Sequence, residues 1–520
     1  MRFVVAFLSL MALFGFGAPT SAAWYEASSD HFVIYADDSE RDVREFSQNL
    51  ERYHSALEYV TGREIAKPSP SNRLVIFVVG NQSDIRRLAG TNSRSIAGFY
   101  VPRAGASRAF VQNIQMKSGY PSFSTTVLLH EYAHHFLIAS SSYAMPRWLS
   151  EGAAEFFAAA TFNDDGSVQV GRPAQHRAGE LAFADEVPIR ELLDAALYDS
   201  SERKGYDAFY GRSWLLYHFM TFEESRRGQL TGYGNRIIAG DAALEAANAA
   251  FGDLDELEKD LDRYLKRRSL YNLKLPAEKI AIGEVRLREL PEGEAKMMDV
   301  RIRSQRGVDR ETARKVLEDA RKIARRYPDD PGVQTALAEA EFDAGNDAEA
   351  IAAADRAIAV DPNRANAYVQ KGFALFRMAG SAPDSKAAYA RAMAPFSALN
   401  AIENDHPLPL IYYYRSFAEQ NEPPNQTARQ ALEWASELAP FDHHLALNTA
   451  VMHARFGEIE QASQKLAPVA ANPHGGQMTN SARMLMALLA TAEEGVPFNA
   501  GDVTASISTD GDDGGKEGAE

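Results

Sequence analysis

Two short segments hold the residues best suited to chemistry: His130-Glu131-Tyr132-Ala133-His134, and Trp148-Leu149-Ser150-Glu151-Gly152-Ala153-Ala154-Glu155. Residues four apart on an α-helix share a face, so His130 and His134 can present imidazole nitrogens to one cation, while Glu131 beside them reaches a water on that cation. A catalytic site of this kind needs three protein ligands and an open position for water, which leaves the two histidines one ligand short. Glu151 is the candidate for the third. Pro146 suits a first helical turn, and Trp148, Leu149, Ala153, Phe156 and Phe157 recur with helical spacing, so Glu151 and Glu155 fall on one face. Glu155 can then accept the other ring N–H of a ligand histidine and fix its tautomer. Gly152, lacking a side chain, is expected to let this helix approach the histidine helix closely. An acidic pair at helical spacing usually faces solvent, yet both carboxylates sit among large apolar residues, where an unpaired charge is costly. His135 points about 100 degrees away from His134 and reads as packing or support. The remaining histidines are scattered along the chain and suggest no second ligand cluster.

The pairing of HEYAH with the downstream WLSEGAAEFF resembles the gluzincin branch of the HExxH zinc metallopeptidases, over roughly residues 30 to 270. Its specific motifs occupy residues 130 to 155, with a weaker stretch near Tyr210. The resemblance implies an α+β zincin-like metallopeptidase domain, with Zn2+ held by His130, His134 and Glu151 and with Glu131 as general base. Many members of the branch set a tyrosine opposite the metal to steady the oxyanion. Here Tyr210-Gly211-Arg212-Ser213-Trp214 resembles the corresponding stretch, so that role would fall to Tyr210, with Tyr206 as the alternate. The competing reading of Tyr210 is a core aromatic on a helix with Trp214, Tyr217 and His218. The G-x-M-E-N segment by which aminopeptidases of the branch hold a free amine is missing, which favours endopeptidase action or a restricted substrate.

Elements must position these residues. His31 to Ala36, Leu74 to Val79, Ala97 to Val101 and Arg108 to Ile114 read as strands. Between the first two, Val43, Phe46, Leu50, Tyr53, Leu57 and Val60 recur at three- and four-residue steps as one amphipathic helix. The strand Arg108 to Ile114 is either a sheet edge that pairs with an extended substrate or an ordinary interior strand. Helical segments follow to about residue 268. Residues 271 to 307 read as a connector with a possible strand at Ile280 to Leu287, which bounds the metallopeptidase-like domain at 24–270.

From about residue 308 the pattern changes to internal repeats. Gly345, Ala350, Ala357 and Pro362 fit one tetratricopeptide (TPR) unit beginning at Pro331; the next begins at Ala365 with Gly372 at its small-residue site, and Gly457 and Ala462 repeat the spacing later. An all-α TPR-like domain over 308–500 is therefore expected. Its groove would bind a protein partner or substrate, and capping of the enzyme domain or self-association is the other use. Residues 501–520, rich in Gly, Asp and Glu, read as a disordered acidic tail.

The 520 residues allow two or three domains, and 45% hydrophobic content supports sizeable cores. Arg2, the apolar run Phe3 to Phe16 and the small residues Ala18 to Ala23 have the three parts of a secretory signal peptide, placed at 1–23. No later segment reaches transmembrane length. With no cysteine, the chain has neither disulfides nor a thiolate metal site, so a bacterial periplasm fits best and secretion second. A formal charge of -16 without a basic patch argues against nucleic acid as a partner. Two function classes follow: an exported zinc peptidase whose repeats recruit protein substrates or partners, or a catalytically silent scaffold whose repeats are the working part.

Overall fold

A computed structural model describes residues 23–498 apart from 94–95, 113, 115, 117–118, 142, 204–205 and 473. The expected signal peptide, except its last residue, and the expected acidic tail fall outside the described residues. Strands β1 (Trp24–Ser28), β2 (Phe32–Asp37), β3 (Leu74–Val78), β4 (Gly98–Val101) and β5 (Arg108–Val111) belong to the larger of two sheets. β6 (Thr161–Phe162), β7 (Val168–Val170) and β8 (Leu273–Leu275) form the smaller, and β9 (Arg286–Glu289) returns to the larger. The larger sheet runs β4-β5-β3-β2-β1-β9, with β2, β3 and β5 parallel and the other pairings antiparallel.

Helix α1 (Glu40–Thr61) makes the crossover that two neighbouring parallel strands require. Ser39 Oγ accepts the Asp42 N–H at its start, and Gly62 ends it at φ 65°, a left-handed conformation that costs glycine little. Val43, Phe46, Leu50, Tyr53 and Leu57 are buried, packed with Ile34, Ile76 and Ala109 of the sheet and with helix α3 (Phe123–Ala139). On the opposite face Tyr35, Phe77, Phe110 and Phe99 stack across four adjacent strands at centroid distances of 5.5, 5.5 and 4.7 Å. Each such pair adds about 0.5–1.5 kcal/mol beyond its area burial. Ile85 and Leu88 of α2 (Gln82–Ala89) and Met298 and Ile302 of the helix Glu292–Arg306 join the same core.

That last helix changes the expected division of the chain. Residues 271 to 307 are no loose connector: β8 pairs with β7, β9 pairs with β1, and Glu292–Arg306 seals one face of the large sheet. The α+β part thus continues to Glu289, beyond the expected limit of 270, and the helical array starts at Glu292 rather than 308. β9 also lies later than the expected Ile280 to Leu287. β8 and β9 have three and four residues and are largely unburied, so no alternation of apolar residues marks them; backbone pairing to distant strands creates them. The structure decides between the two readings of residues 108 to 114: β5 lies between β4 and β3 and is an interior strand, with β4 at that edge of the sheet.

The helical part is a series of antiparallel pairs. In the pair Pro331–Asp343 and Asp347–Val360, Gly345 turns the chain at φ 87°, and Ala350, Ala353, Ala354 and Ala357 are fully buried. In the next pair, Ala365–Ala379 and Ser385–Ile402, a Cβ on Gly372 would lie 2.5 Å from the Phe396 ring, so the small-residue site reflects a close approach. The array folds back onto the α+β part. The Ser71 N–H and hydroxyl donate to Glu403 at 2.7 and 2.9 Å, Asn72 Nδ2 donates to the Leu438 carbonyl, and the Ala104 N–H donates to Asp442. Leu432, Phe441 and Leu445 pack with Ala104 and Ile138 in one apolar cluster.

Phe77 sits at the middle of the aromatic stack and is fully buried. Phe77→Ala is expected to destabilise the protein by about 3–5 kcal/mol through cavity formation. Urea unfolding followed by near-ultraviolet circular dichroism checks this; a loss under about 1 kcal/mol would mean the two modules do not share this core.

Candidate metal centre

The histidine helix α3 begins at Ser122, whose Oγ accepts the Thr125 N–H. It is surrounded by other elements, so most of its sides are buried. Helix α4 (Arg147–Ala158) packs against it with Glu151 0% and Glu155 1% exposed. His130 Nε2 and His134 Nε2 stand 3.0 Å apart, and each is 3.3 Å from Glu151 Oε2. The other Glu151 oxygen, Oε1, is buried and has no hydrogen-bond partner among the described residues.

This donor set fits a small divalent cation. Ligand atoms about 2.1 Å from a tetrahedral ion lie about 3.4 Å from one another, close to the observed triangle. A buried carboxylate oxygen left unpartnered is costly, and a cation removes that cost. Two other groups among the described residues gather acidic side chains, but arginines already neutralise them. Arg429 pairs with Glu458 beside Glu433 and His453, and Arg212 pairs with Glu186, Glu258 and Asp262. No arginine pairs with Glu151 among the described residues.

Glu155 lies one turn beyond Glu151 and works as a hub. Its Oε1 is 3.2 Å from His130 Nδ1 and takes two donors from Arg177 at 2.9 and 2.6 Å, while Oε2 receives His176 Nε2. His134 is held from behind by Ser150 Oγ, 3.1 Å from Nδ1. Burial alone would raise the pKa of both carboxyls. His134 and His130 hold Glu151 well below the usual carboxylate range, and Arg177 and His130 do the same for Glu155. Burial would lower His130, but Glu155 and Glu151 push it up to about 10; for His134 burial wins and the pKa falls. Each anion is compensated by a cation or a proton, the arrangement expected where a metal would otherwise carry the positive charge.

Glu131 is half-buried, and its charge bears on the Tyr100 hydroxyl of β4. That hydroxyl lies 2.7 Å from His135 Nδ1, joining β4 to the histidine helix. His135 also packs on Phe441 of the helical array, and burial pushes its pKa down to about 3. Of the two tyrosine candidates, Tyr206 is 65% exposed in a loop, and the Tyr210 ring lies 4.6 Å from the guanidinium of Arg177, which pairs with Glu155. The expected role for Gly152 needs correction as well. Its missing Cβ would fall 2.4 Å from the Ser213 carbonyl, so it admits the helix Phe209–Phe222 and not the histidine helix.

Sequence reasoning missed Ser150, His176, Arg177 and the histidines of the helical array. The need of Glu155 for a cation was readable, but nothing in the spacing points to Arg177, 22 residues later. Of the late histidines, His474 comes back to the centre: its ring lies edge-on to His134 at 5.3 Å.

No family model matches this chain, and no curated protein does. Solved structures that match include TTC0263, a thermophilic TPR protein of Thermus thermophilus, at 15% identity, covering 37% of this chain and 94% of that one with a TM-score of 0.30. The MamA RS-1 ArsTM double mutant matches at 17% identity over 35% and 95%, TM-score 0.27. MamA 41-end from Desulfovibrio magneticus RS-1 matches at 18% over 34% and 92%, TM-score 0.26.

Two substitutions test the scaffold of the centre. Glu155→Ala is expected to weaken metal affinity about 10–100-fold, measured by competition with a chromophoric chelator; unchanged affinity would leave Glu155 a purely structural anion. Gly152→Ala forces α4 away from the Ser213 backbone and should cost about 1–3 kcal/mol in urea unfolding.

Proposed function

We propose that this chain is an exported zinc-dependent peptidase, an endopeptidase acting on proteins or peptides, in which the helical repeats serve to engage the substrate or a partner protein. The observation that carries the reading is the triangle of His130, His134 and Glu151 donor atoms at 3.0–3.3 Å with an unpartnered buried oxygen on Glu151. Zinc on these three residues would polarise the scissile carbonyl and lower the pKa of a bound water towards about 7. Glu131, next to His130 in the sequence and half-buried, would take the proton of that water and hand it to the leaving amine. With zinc bound, Glu155 would accept the Nδ1–H of His130 and leave its Nε2 for the metal, and Ser150 would contact Nδ1 of His134. β4 is an outer strand of the larger sheet, and its side away from β5 pairs with no strand among the described residues; all four of its residues are buried, so an extended peptide would add to this edge only where the backbone becomes uncovered.

Export to the periplasm, or beyond the cell, rests on the apolar run Phe3 to Phe16 with the small residues after it and on the lack of cysteine. Exposed Trp434, Met484 and Leu488 on the helical array offer apolar anchors for a protein partner. A silent scaffold gives no reason for a buried Glu151 oxygen without a hydrogen-bond partner among the described residues.

The purified chain is expected to retain about one zinc after dialysis and to cleave unfolded casein. Glu131→Gln should keep the zinc and lose about 10^2–10^4-fold in kcat, whereas His134→Ala should lose the metal itself. Zinc content by mass spectrometry together with casein digestion decides the matter: a chain that takes up no zinc, or a Glu131→Gln variant that stays active, overturns the proposal.

A further inference from the structure

The helical array does more than lean on the α+β part, because it reaches the metal centre itself. Phe441 packs on His135 at 4.4 Å between ring centroids, and the next residue, Asp442, accepts the Ala104 N–H at 2.8 Å from the loop after β4. Asp442 also caps the helix His443–Arg455 by accepting the Leu445 N–H. These contacts fix the array beside the end of the histidine helix. From there the turn between the helices Ile459–Ala470 and Gln477–Leu489 projects His474 against His134, the two rings nearly perpendicular at 5.3 Å.

The turn is built to hold that residue. The His474 N–H donates to Asn472 Oδ1 at 3.3 Å, the Gly475 N–H donates to the Asn472 carbonyl at 3.2 Å, and Gly475 and Gly476 take φ values of 70° and 94° that other residues rarely adopt. His134 is buried and His474 is exposed, so His474 is the solvent-facing member of this ring pair.

We infer that His474, carried by the helical array, is a catalytic residue of the peptidase centre, whose imidazole N–H donates a hydrogen bond to the oxyanion formed at the scissile carbonyl. The inference rests on the peptidase reading above. As water oxygen bonds to the carbonyl carbon, the π electron pair moves onto the carbonyl oxygen, and the His474 N–H meets the charge there. When the C–N bond breaks, that pair returns to re-form the carbonyl and the amine leaves with the proton carried by Glu131. His474 gains and loses no proton in the cycle. The repeats are then the second wall of the active site, and removing them would remove part of the catalytic machinery as well as a docking surface.

The test uses the full mature chain with zinc, unfolded casein and reduced insulin B chain as substrates, and a phosphonamidate peptide as a mimic of the tetrahedral state. His474→Ala is expected to keep the wild-type zinc content and melting temperature while kcat falls about 100-fold and KM stays within about threefold, the signature of an interaction made only in the transition state. Calorimetry should show phosphonamidate affinity falling by a similar factor, and His474→Gln, which retains an N–H donor, should recover part of both losses. Wild-type kcat in His474→Ala, a rise in KM alone, or loss of zinc would each overturn the role of His474. Failure of the peptidase reading looks different: the wild-type chain itself would bind no zinc or cleave neither substrate, and the inference would fall with it.

Discussion

Two carboxylates buried on one turn of α4 set the terms for the rest of this structure. Glu151 and Glu155 are 0% and 1% exposed, and an isolated ionised carboxylate at that depth would pick up a proton rather than stay charged. Glu155 is kept ionised by Arg177, His176 and His130, so a loop, a second helix and the histidine helix must all meet at one point. Glu151 is answered by two imidazoles, and its second oxygen by nothing among the described residues. The first arrangement is a closed charge network. The second is not closed in this way, and the proposed metal centre rests on that difference.

Holding these groups in place requires rigid neighbours on every side. α4 is pressed onto the helix Phe209–Phe222 at Gly152, where no side chain would fit, and Trp148 is fully buried with its indole N–H donated to the Tyr233 hydroxyl. α3 is backed by α1: Tyr53 donates its hydroxyl to the Leu129 carbonyl, and His54 Nδ1 lies 2.7 Å from the Tyr132 hydroxyl. The aromatic stack on the far face of the sheet is completed by a helix that belongs to the array. The two modules therefore share a core, and the array is fixed at both ends of its path over the α+β part, through Glu292–Arg306 at one and Asp442 at the other.

Much of this was legible in the sequence where periodicity reports burial. α1 reads from its apolar repeat and appears over Glu40–Thr61, and strands expected at 31–36, 74–79, 97–101 and 108–114 lie close to β2, β3, β4 and β5. In the array, Gly345 and Gly457 mark tight turns between paired helices because the left-handed backbone there suits glycine. β8 and β9 were illegible as they stand, since strands of three and four residues carry no burial pattern of their own and exist through hydrogen bonds to β7 and β1. Whether residues 108 to 114 form an edge or an interior strand stayed open in the sequence for a related reason: neighbour order follows from how crossovers pack, and the apolar content of β4 and β5 is alike.

By itself the sequence determined what local geometry dictates: that His130 and His134 share one face of a helix, that Glu151 and Glu155 share one face of another, and that helix pairs follow from about residue 310. Those facts follow from a 3.6-residue repeat and need no partner. Tertiary structure alone decided that the two faces meet, that Arg177 and not a nearer cation neutralises Glu155, that Gly152 admits the helix after Tyr210, and that His474 arrives beside His134 from 340 residues away. Such pairings depend on charge compensation and close packing between segments whose separation along the chain has no period, and sequence spacing holds no trace of them.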